Sequence, residues 1–162
     1  MPEIIYQFTG TDAVEPVYAI RWLTEKDLKA FNDHLTLCGQ RNLEQSEWDA
    51  IYEEGTIYCL LFADGIPAAR ACVEKYSCDA WEVADVRVAR PFRNRGLAFD
   101  VCSCVLQYIL DYGKTATIRT EEDNDPMRRV IEKMGFVPVG ELLLIPSRVC
   151  DWVFGFIAGN IL

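Results

Sequence analysis

The sequence predicts an α+β fold in α/β/α layers. Helices cover both faces of a mixed, largely antiparallel, twisted sheet of about six to seven strands. Two observations carry that reading. An Asp64-Gly65 pair stands between two apolar runs, a strong signal for a two-residue hairpin and so for antiparallel pairing. In the second half, strand-like runs alternate with helical ones, as a parallel crossover requires. The 162 residues are long enough for one domain over 1–162 with a sizeable core, residues 1–16 reading as an extension.

Each element follows from its residues. A short strand is expected at Glu3–Phe8 and the first long one at Val17–Leu23. Thr24 to Asp27 resembles a capping box, with Asp where Glu is usual. Leu28, Phe31 and Leu35 follow at helical spacing up to Gly39. A second helix starts at Ser46, with Trp48, Ile51 and Tyr52 on its apolar face and Gly55 as its stop. The hairpin strands are Thr56–Ala63 and Ile66–Tyr76, and Trp81–Val88 is the next strand. Strict alternation puts Glu82, Ala84, Val86 and Val88 on one face, and Trp81, Val83, Asp85 and Arg87 on the other. The helix over Leu97–Tyr112 carries Asp100, Ser103, Gln107 and Asp111 as one narrow wet stripe. Thr115–Arg119 is a short strand. Asp125-Pro126 opens the last helix, Asp as cap and Pro in the first turn. Met127, Val130, Ile131 and Met134 form its inner face, and Gly135 ends it. Strands over about Phe136–Ile145 and Val149–Ile157 complete the pattern.

The totals exclude several classes. A net charge of −9 argues against a nucleic-acid partner, which favours a broad basic face. It suits a cationic small substrate, or serves solubility alone. No apolar run reaches the ~18 residues of a membrane span. No secretory signal is visible at MPEIIYQFTG, so a cytoplasmic location is the expectation. The seven cysteines are scattered and form no CxxC pair, which leaves a metal site without support. They are expected to be buried or inert thiols. His34, the only histidine, is expected at the helix surface or in a capping role rather than beside an acceptor.

Against this acidic background, Arg87, Arg90, Arg93 and Arg95 fall in one short window that runs into Gly96 and an apolar helix. The first N–H groups of a helix have no partner within it and carry partial positive charge. Gly96 and Ala98 remove side-chain bulk, so an anion can approach the backbone. Arginine adds charge-assisted, bidentate contacts to a phosphate.

The run V-A-R-P-F-R-N-R-G-L-A, residues 88–98, resembles the acetyl-CoA-binding motif R/Q-x-x-G-x-G/A of the GNAT superfamily of N-acetyltransferases. A second landmark stands at the family's spacing, with Asn124 eleven residues ahead of Gly135-Phe136. The likeness is close over 81–136 and looser over 17–157.

The resemblance implies acyl transfer from acetyl-CoA, as donor co-substrate and without a metal, to an amine. The transfer would be by direct attack in a ternary complex. It implies that the amides of Arg93, Asn94, Arg95, Gly96, Leu97 and Ala98 hold the pyrophosphate. It also implies that Val86 and Val88 pair with the pantetheine arm on a strand that is often bulged, one of whose amides can polarise the thioester carbonyl. Asn124 either touches that arm, as in relatives, or is a polar residue ahead of a helix. Glu82 matches the position where some members carry a catalytic base, and otherwise reads as a solvated strand residue. Where many members carry a tyrosine that protonates the departing thiolate, this chain has Ile131, which cannot. The acceptor wall would fall on Trp22, Trp48, Tyr52, Glu53, Glu54 and Trp152, aromatic and acidic residues suited to a cation. The alternative function is an acyl-CoA-binding sensor without turnover. A homodimer is the common default for assembly.

Overall fold

The computed structural model describes residues 1–142. Along the chain run β1 (Glu3–Phe8), β2 (Ala19–Trp22), α1 (Leu28–Leu37), α2 (Gln45–Glu53), β3 (Ile57–Ala63) and β4 (Ile66–Glu74). They are followed by β5 (Ala80–Val88), α3 (Leu97–Asp111), β6 (Thr115–Glu121), α4 (Asp125–Met134) and β7 (Phe136–Leu142). The strand expected over Val149–Ile157, the end of the one over Phe136–Ile145, and Cys150 and Trp152 lie outside the described residues.

Among the described residues one seven-stranded sheet has the order β2-β3-β4-β5-β6-β1-β7. Only β5 and β6 are parallel. The Asp64-Gly65 turn joins β3 to β4 with φ of 54° and 76°, the left-handed pair that a tight hairpin demands. The strand at Glu3–Phe8 is no mere appendage. It lies inside the sheet, antiparallel to both β6 and β7, with Tyr6 opposite Ile118 and Pro138.

Two apolar layers sandwich the sheet. On one face α3 buries Val101, Val105, Leu106 and Ile109 against β4 and β5. On the other, α1 and α2 bring Phe31 and Trp48 onto Tyr58 and Leu60. The ring centroids of Phe31 and Trp48 are 4.6 Å apart, as are those of Phe31 and Tyr58. Buried aromatic pairs add about 1 kcal/mol each beyond their area. Trp48 is fully buried here and the Trp22 ring packs at a tilt against Tyr108 of α3, so the two do not form the common acceptor wall expected of them.

Several helix starts shift by one to three residues. The Asp27 carboxylate does accept from the Thr24 amide at 2.7 Å, but the helix begins only at Leu28. In α2 the capping box is Glu44 with Glu47, and the helix begins at Gln45 rather than Ser46. In α4 the cap is Asn124, whose side chain accepts from the Met127 amide, so Asp125 lies inside the first turn. The wet stripe of α3 is dry over its first half. Asp100 and Ser103 are buried, and the Asp100 carboxylate accepts from the amides of Val17 at 2.8 Å and Tyr18 at 3.1 Å. That bond ties the approach to β2 onto the N-terminal turn of α3, where a carboxylate is also favoured by the helix dipole.

His34 is a core residue, not a surface or capping one. It is fully buried, with Nδ1 donating to the Pro67 carbonyl at 2.7 Å. Its Nε2 accepts from the Cys38 thiol at 3.4 Å. Burial is the main influence on its pKa, lowering it from 6.5 to about 4. The folded state therefore keeps the ring neutral while the unfolded chain takes up a proton below pH 6.5. This contribution to stability is complete above pH 6.5 and is lost as pH falls toward 4, by up to about 1.4 kcal/mol per pH unit. Urea midpoints of the wild type should fall more steeply with acid than those of His34→Asn, with the difference confined below pH 6.5. Equal slopes would remove His34 as the cause. Of the other thiols, Cys59, Cys72 and Cys102 are buried, whereas Cys78 is exposed.

Candidate functional site

The site begins where two neighbouring parallel strands part. Strands β5 and β6 pair as far as Val83 opposite Ile118. Beyond that, β5 runs on to Val88 and β6 to Glu121 with no further pairing between them. The opening coincides with a break in β5. Ala84 faces Cys72 and Arg87 faces Arg70, so Asp85 and Val86 together oppose Ala71 alone. This is a β-bulge, and Asp85 takes its left-handed position at φ 47°.

The bulge overturns the face pattern expected from strict alternation. Ahead of it, Trp81 and Val83 pack toward α3, and Ala84 toward the opposite layer. After it, Val86 and Val88 pack on the α3 side. Glu82 therefore does not share a face with Val86 and Val88, and Asp85 points to the side of Ala84, where Tyr58 and Arg70 meet it.

Two cavities flank the gap and share Val86, Asn124 and Met127. The larger, about 550 Å³, is a groove between the end of β5, the loop into α3 and the start of α4. Arg87, Arg93, Asn94, Gly96 and Ala98 line it. Its loop starts with a 3₁₀ turn at Arg90–Phe92, which the Arg93 amide closes onto Arg90 at 3.3 Å. That amide is thereby engaged, unlike those of Leu97, Ala98 and Phe99 in the first turn of α3, which have no acceptor within the helix. Asn94 at φ 64° and Gly96 at φ 77° bracket Arg95 in left-handed conformations, a geometry that turns successive amides toward an anion. A Cβ at Gly96 would meet nothing within 4 Å, so the backbone there is held by conformation and not by crowding. These residues fit a pyrophosphate. The Arg93 Nε donates to the Val88 carbonyl at 3.2 Å, tying loop to strand, and Arg95 lies over the Phe92 ring at 5.3 Å.

The smaller cavity, about 340 Å³, lies on the other side of the gap and is acidic. Glu3, Glu74, Glu82 and Asp85 line it, together with Arg119 and Tyr76. Glu82 is 5% exposed, and its two oxygens accept from Arg119 Nε at 2.7 Å and Nη2 at 2.8 Å. Burial raises the Glu82 pKa above the usual carboxylate range, while Arg119 pulls it back. The Tyr76 hydroxyl donates to Glu74, and the Arg119 guanidinium lies over the Tyr76 ring at 5.5 Å. Burial and the nearby Glu82 push the Tyr76 pKa up, so the phenol keeps its proton.

A family model described as acetyltransferase (GNAT) family matches residues 17–136. The chain belongs to that family. As a member of the GNAT family it shares its fold with solved members of low identity. The GNAT-family acetyltransferase of Colwellia psychrerythraea is 18% identical with a TM-score of 0.69, over 86% of this chain and 53% of that one. A GNAT-family structure from Novosphingobium aromaticivorans DSM 12444 is 20% identical with the same TM-score, over 86% and 60%. This chain thus spans little more than half the length of those two. The aminoglycoside N-acetyltransferase AAC(6')-Iy, solved with the bisubstrate analogue CoA-S-monomethyl-acetylneamine, is 16% identical with a TM-score of 0.67, over 80% and 97%. No curated protein matches the chain in sequence.

Of the expected GNAT site residues, the fold brings Val86, Val88, Arg93, Asn94, Gly96, Leu97, Ala98 and Asn124 to one groove. It sets Glu82 across the gap in the acidic cavity. Arg119, Tyr76 and Glu74 escaped sequence reading. The signal for Arg119 was weak: a lone cation on the same face of β6 as Thr117, meaningful only once the register with β5 is known.

Proposed function

We propose that this chain is an acetyl-CoA-dependent N-acetyltransferase acting on a cationic amine of a small molecule or protein. The observation that carries the reading is the pair of cavities meeting at the β5 bulge, one built for an anion and the other acidic. When bound, acetyl-CoA supplies an activated thioester. The amides at the start of α3 and the Arg93 side chain bind its pyrophosphate. The backbone of β5 at Val86 and Val88 orients the pantetheine arm, and Asn124 borders it. A donor N–H on this part of β5 would polarise the thioester carbonyl and stabilise charge that develops there.

The acidic cavity attracts an ammonium group, which must lose a proton before it can attack. Glu82 takes that proton, directly or through water. Each of its oxygens has a second lone pair beyond the Arg119 contact, and its raised pKa suits a base. A second reading, an acyl-CoA sensor without turnover, draws on one observation. Ile131 is fully buried and offers no proton to a departing thiolate.

One experiment separates the readings. Acetyl-CoA at ~100 times its dissociation constant should add about 2.7 kcal/mol of apparent stability. A panel of amines should then release CoA thiol. Stabilisation without thiol release from any amine would favour the sensor, and no stabilisation would end both readings.

A further inference from the structure

The bulge on which that reading depends needs something to hold it. Asp85 takes φ 47°, a conformation non-glycine residues rarely keep without support. The Asp85 side chain is 40% exposed, so burial does not hold it. Its carboxylate instead accepts from Arg70 Nε at 3.0 Å, Arg70 Nη2 at 3.1 Å and the Tyr58 hydroxyl at 2.7 Å. Arg70 is itself fixed. It is 4% exposed, its Nη1 donates to Gln40 Oε1 at 2.7 Å, and its guanidinium lies over the Phe31 ring at 5.8 Å.

We propose that Arg70 and Tyr58 are positioning residues, a clamp that grips Asp85 and fixes the bulge so that the backbone at Val86 meets the amide arm of the donor. The inference rests on the cofactor reading above. Three features support it. Asp85 and Val86 lie beyond the last β5–β6 pair, Val83 with Ile118, so this stretch of β5 borders the gap on its β6 side. Val86 lines both cavities. The clamp comes from β3 and β4, on the opposite side of the sheet from the α3 layer where Val86 packs, so it shapes the bulge without occupying the groove. With three donors on its two oxygens, the Asp85 carboxylate is tied to Arg70 and Tyr58.

The test compares CoA with adenosine 3′-phosphate 5′-diphosphate, its nucleotide half, which lacks the pantetheine arm. Calorimetry is run on wild type, Arg70→Met, Tyr58→Phe, and Arg70→Met combined with Asp85→Gly. Arg70→Met should weaken CoA about tenfold, the worth of one good hydrogen bond, and leave the nucleotide half within about twofold. Tyr58→Phe should act in the same direction and less. Adding Asp85→Gly should return CoA to within about threefold of wild type, because glycine adopts the left-handed conformation without a clamp. Equal weakening of both ligands, no weakening, or no recovery with glycine would each overturn the clamp. A wild type that binds neither ligand would instead overturn the cofactor reading, a failure visible before any variant is made.

Discussion

Arg93→Ala combined with Gly96→Glu is expected to abolish the thermal stabilisation by acetyl-CoA, a loss of affinity of about 100-fold or more. Two independent effects add. Arg93 supplies formal charge at the groove and, through its Nε bond to the Val88 carbonyl, joins the loop to β5. A hydrogen bond involving a charged group is worth about 1.5–3 kcal/mol, or roughly ten- to hundredfold. Gly96 holds φ 77° immediately before α3. A glutamate there strains the backbone by about 1–3 kcal/mol and sets a negative charge against the phosphates. Far-UV circular dichroism should stay unchanged, because the open space at Gly96 admits a side chain without displacing the core. A full stabilisation by acetyl-CoA in this variant would place the anion elsewhere.

Arg119→Met should produce the largest loss of stability, about 3–5 kcal/mol by urea denaturation, as expected when one partner of a buried ion pair is removed. It leaves the Glu82 carboxylate, 5% exposed, without the guanidinium that both its oxygens face. Glu82 then avoids burying an unpaired charge by staying protonated to higher pH. The double variant Glu82→Met with Arg119→Met should recover most of the stability, since apolar replacement of both partners is often near neutral. On the proposed function, the same double variant should not recover acetyl transfer, because it lacks the carboxylate proposed as the base. If Arg119→Met cost under 1 kcal/mol, the pair would be behaving as a surface contact and not as a buried one.

The parts of this molecule legible in the sequence are those fixed by neighbours along the chain. Asp64-Gly65 required a left-handed turn and formed one. Gly96 ahead of an apolar helix marked the turn into α3, and a groove opens along that loop. Asp125-Pro126 marked the start of α4 to within one residue, the cap falling on Asn124 because its amide oxygen reaches the Met127 N–H. The bulge was hidden, since Asp85 reads as one more alternating position until Arg70 and Tyr58 arrive from other strands. The partner of Glu82 was hidden for the same reason: Arg119 is 37 residues away and meets it only through the parallel pairing of β5 with β6. His34 looked like a surface residue because the Pro67 carbonyl that satisfies it comes from β4.

The place of β1 in the sheet has a consequence for how the protein is made. Its two partners, β6 and β7, begin at Thr115 and Phe136, so more than a hundred residues must be synthesised before either is available. At ~5–20 residues per second, β1 emerges from the ribosome on the order of ten seconds before a complete slot exists. Through that interval Ile4, Ile5, Tyr6 and Phe8 are an apolar strand with open edges, a template for mispairing. Pairings so distant in sequence also slow folding. The sheet is closed by its earliest strand, and nascent-chain chaperones have longest to act on that one.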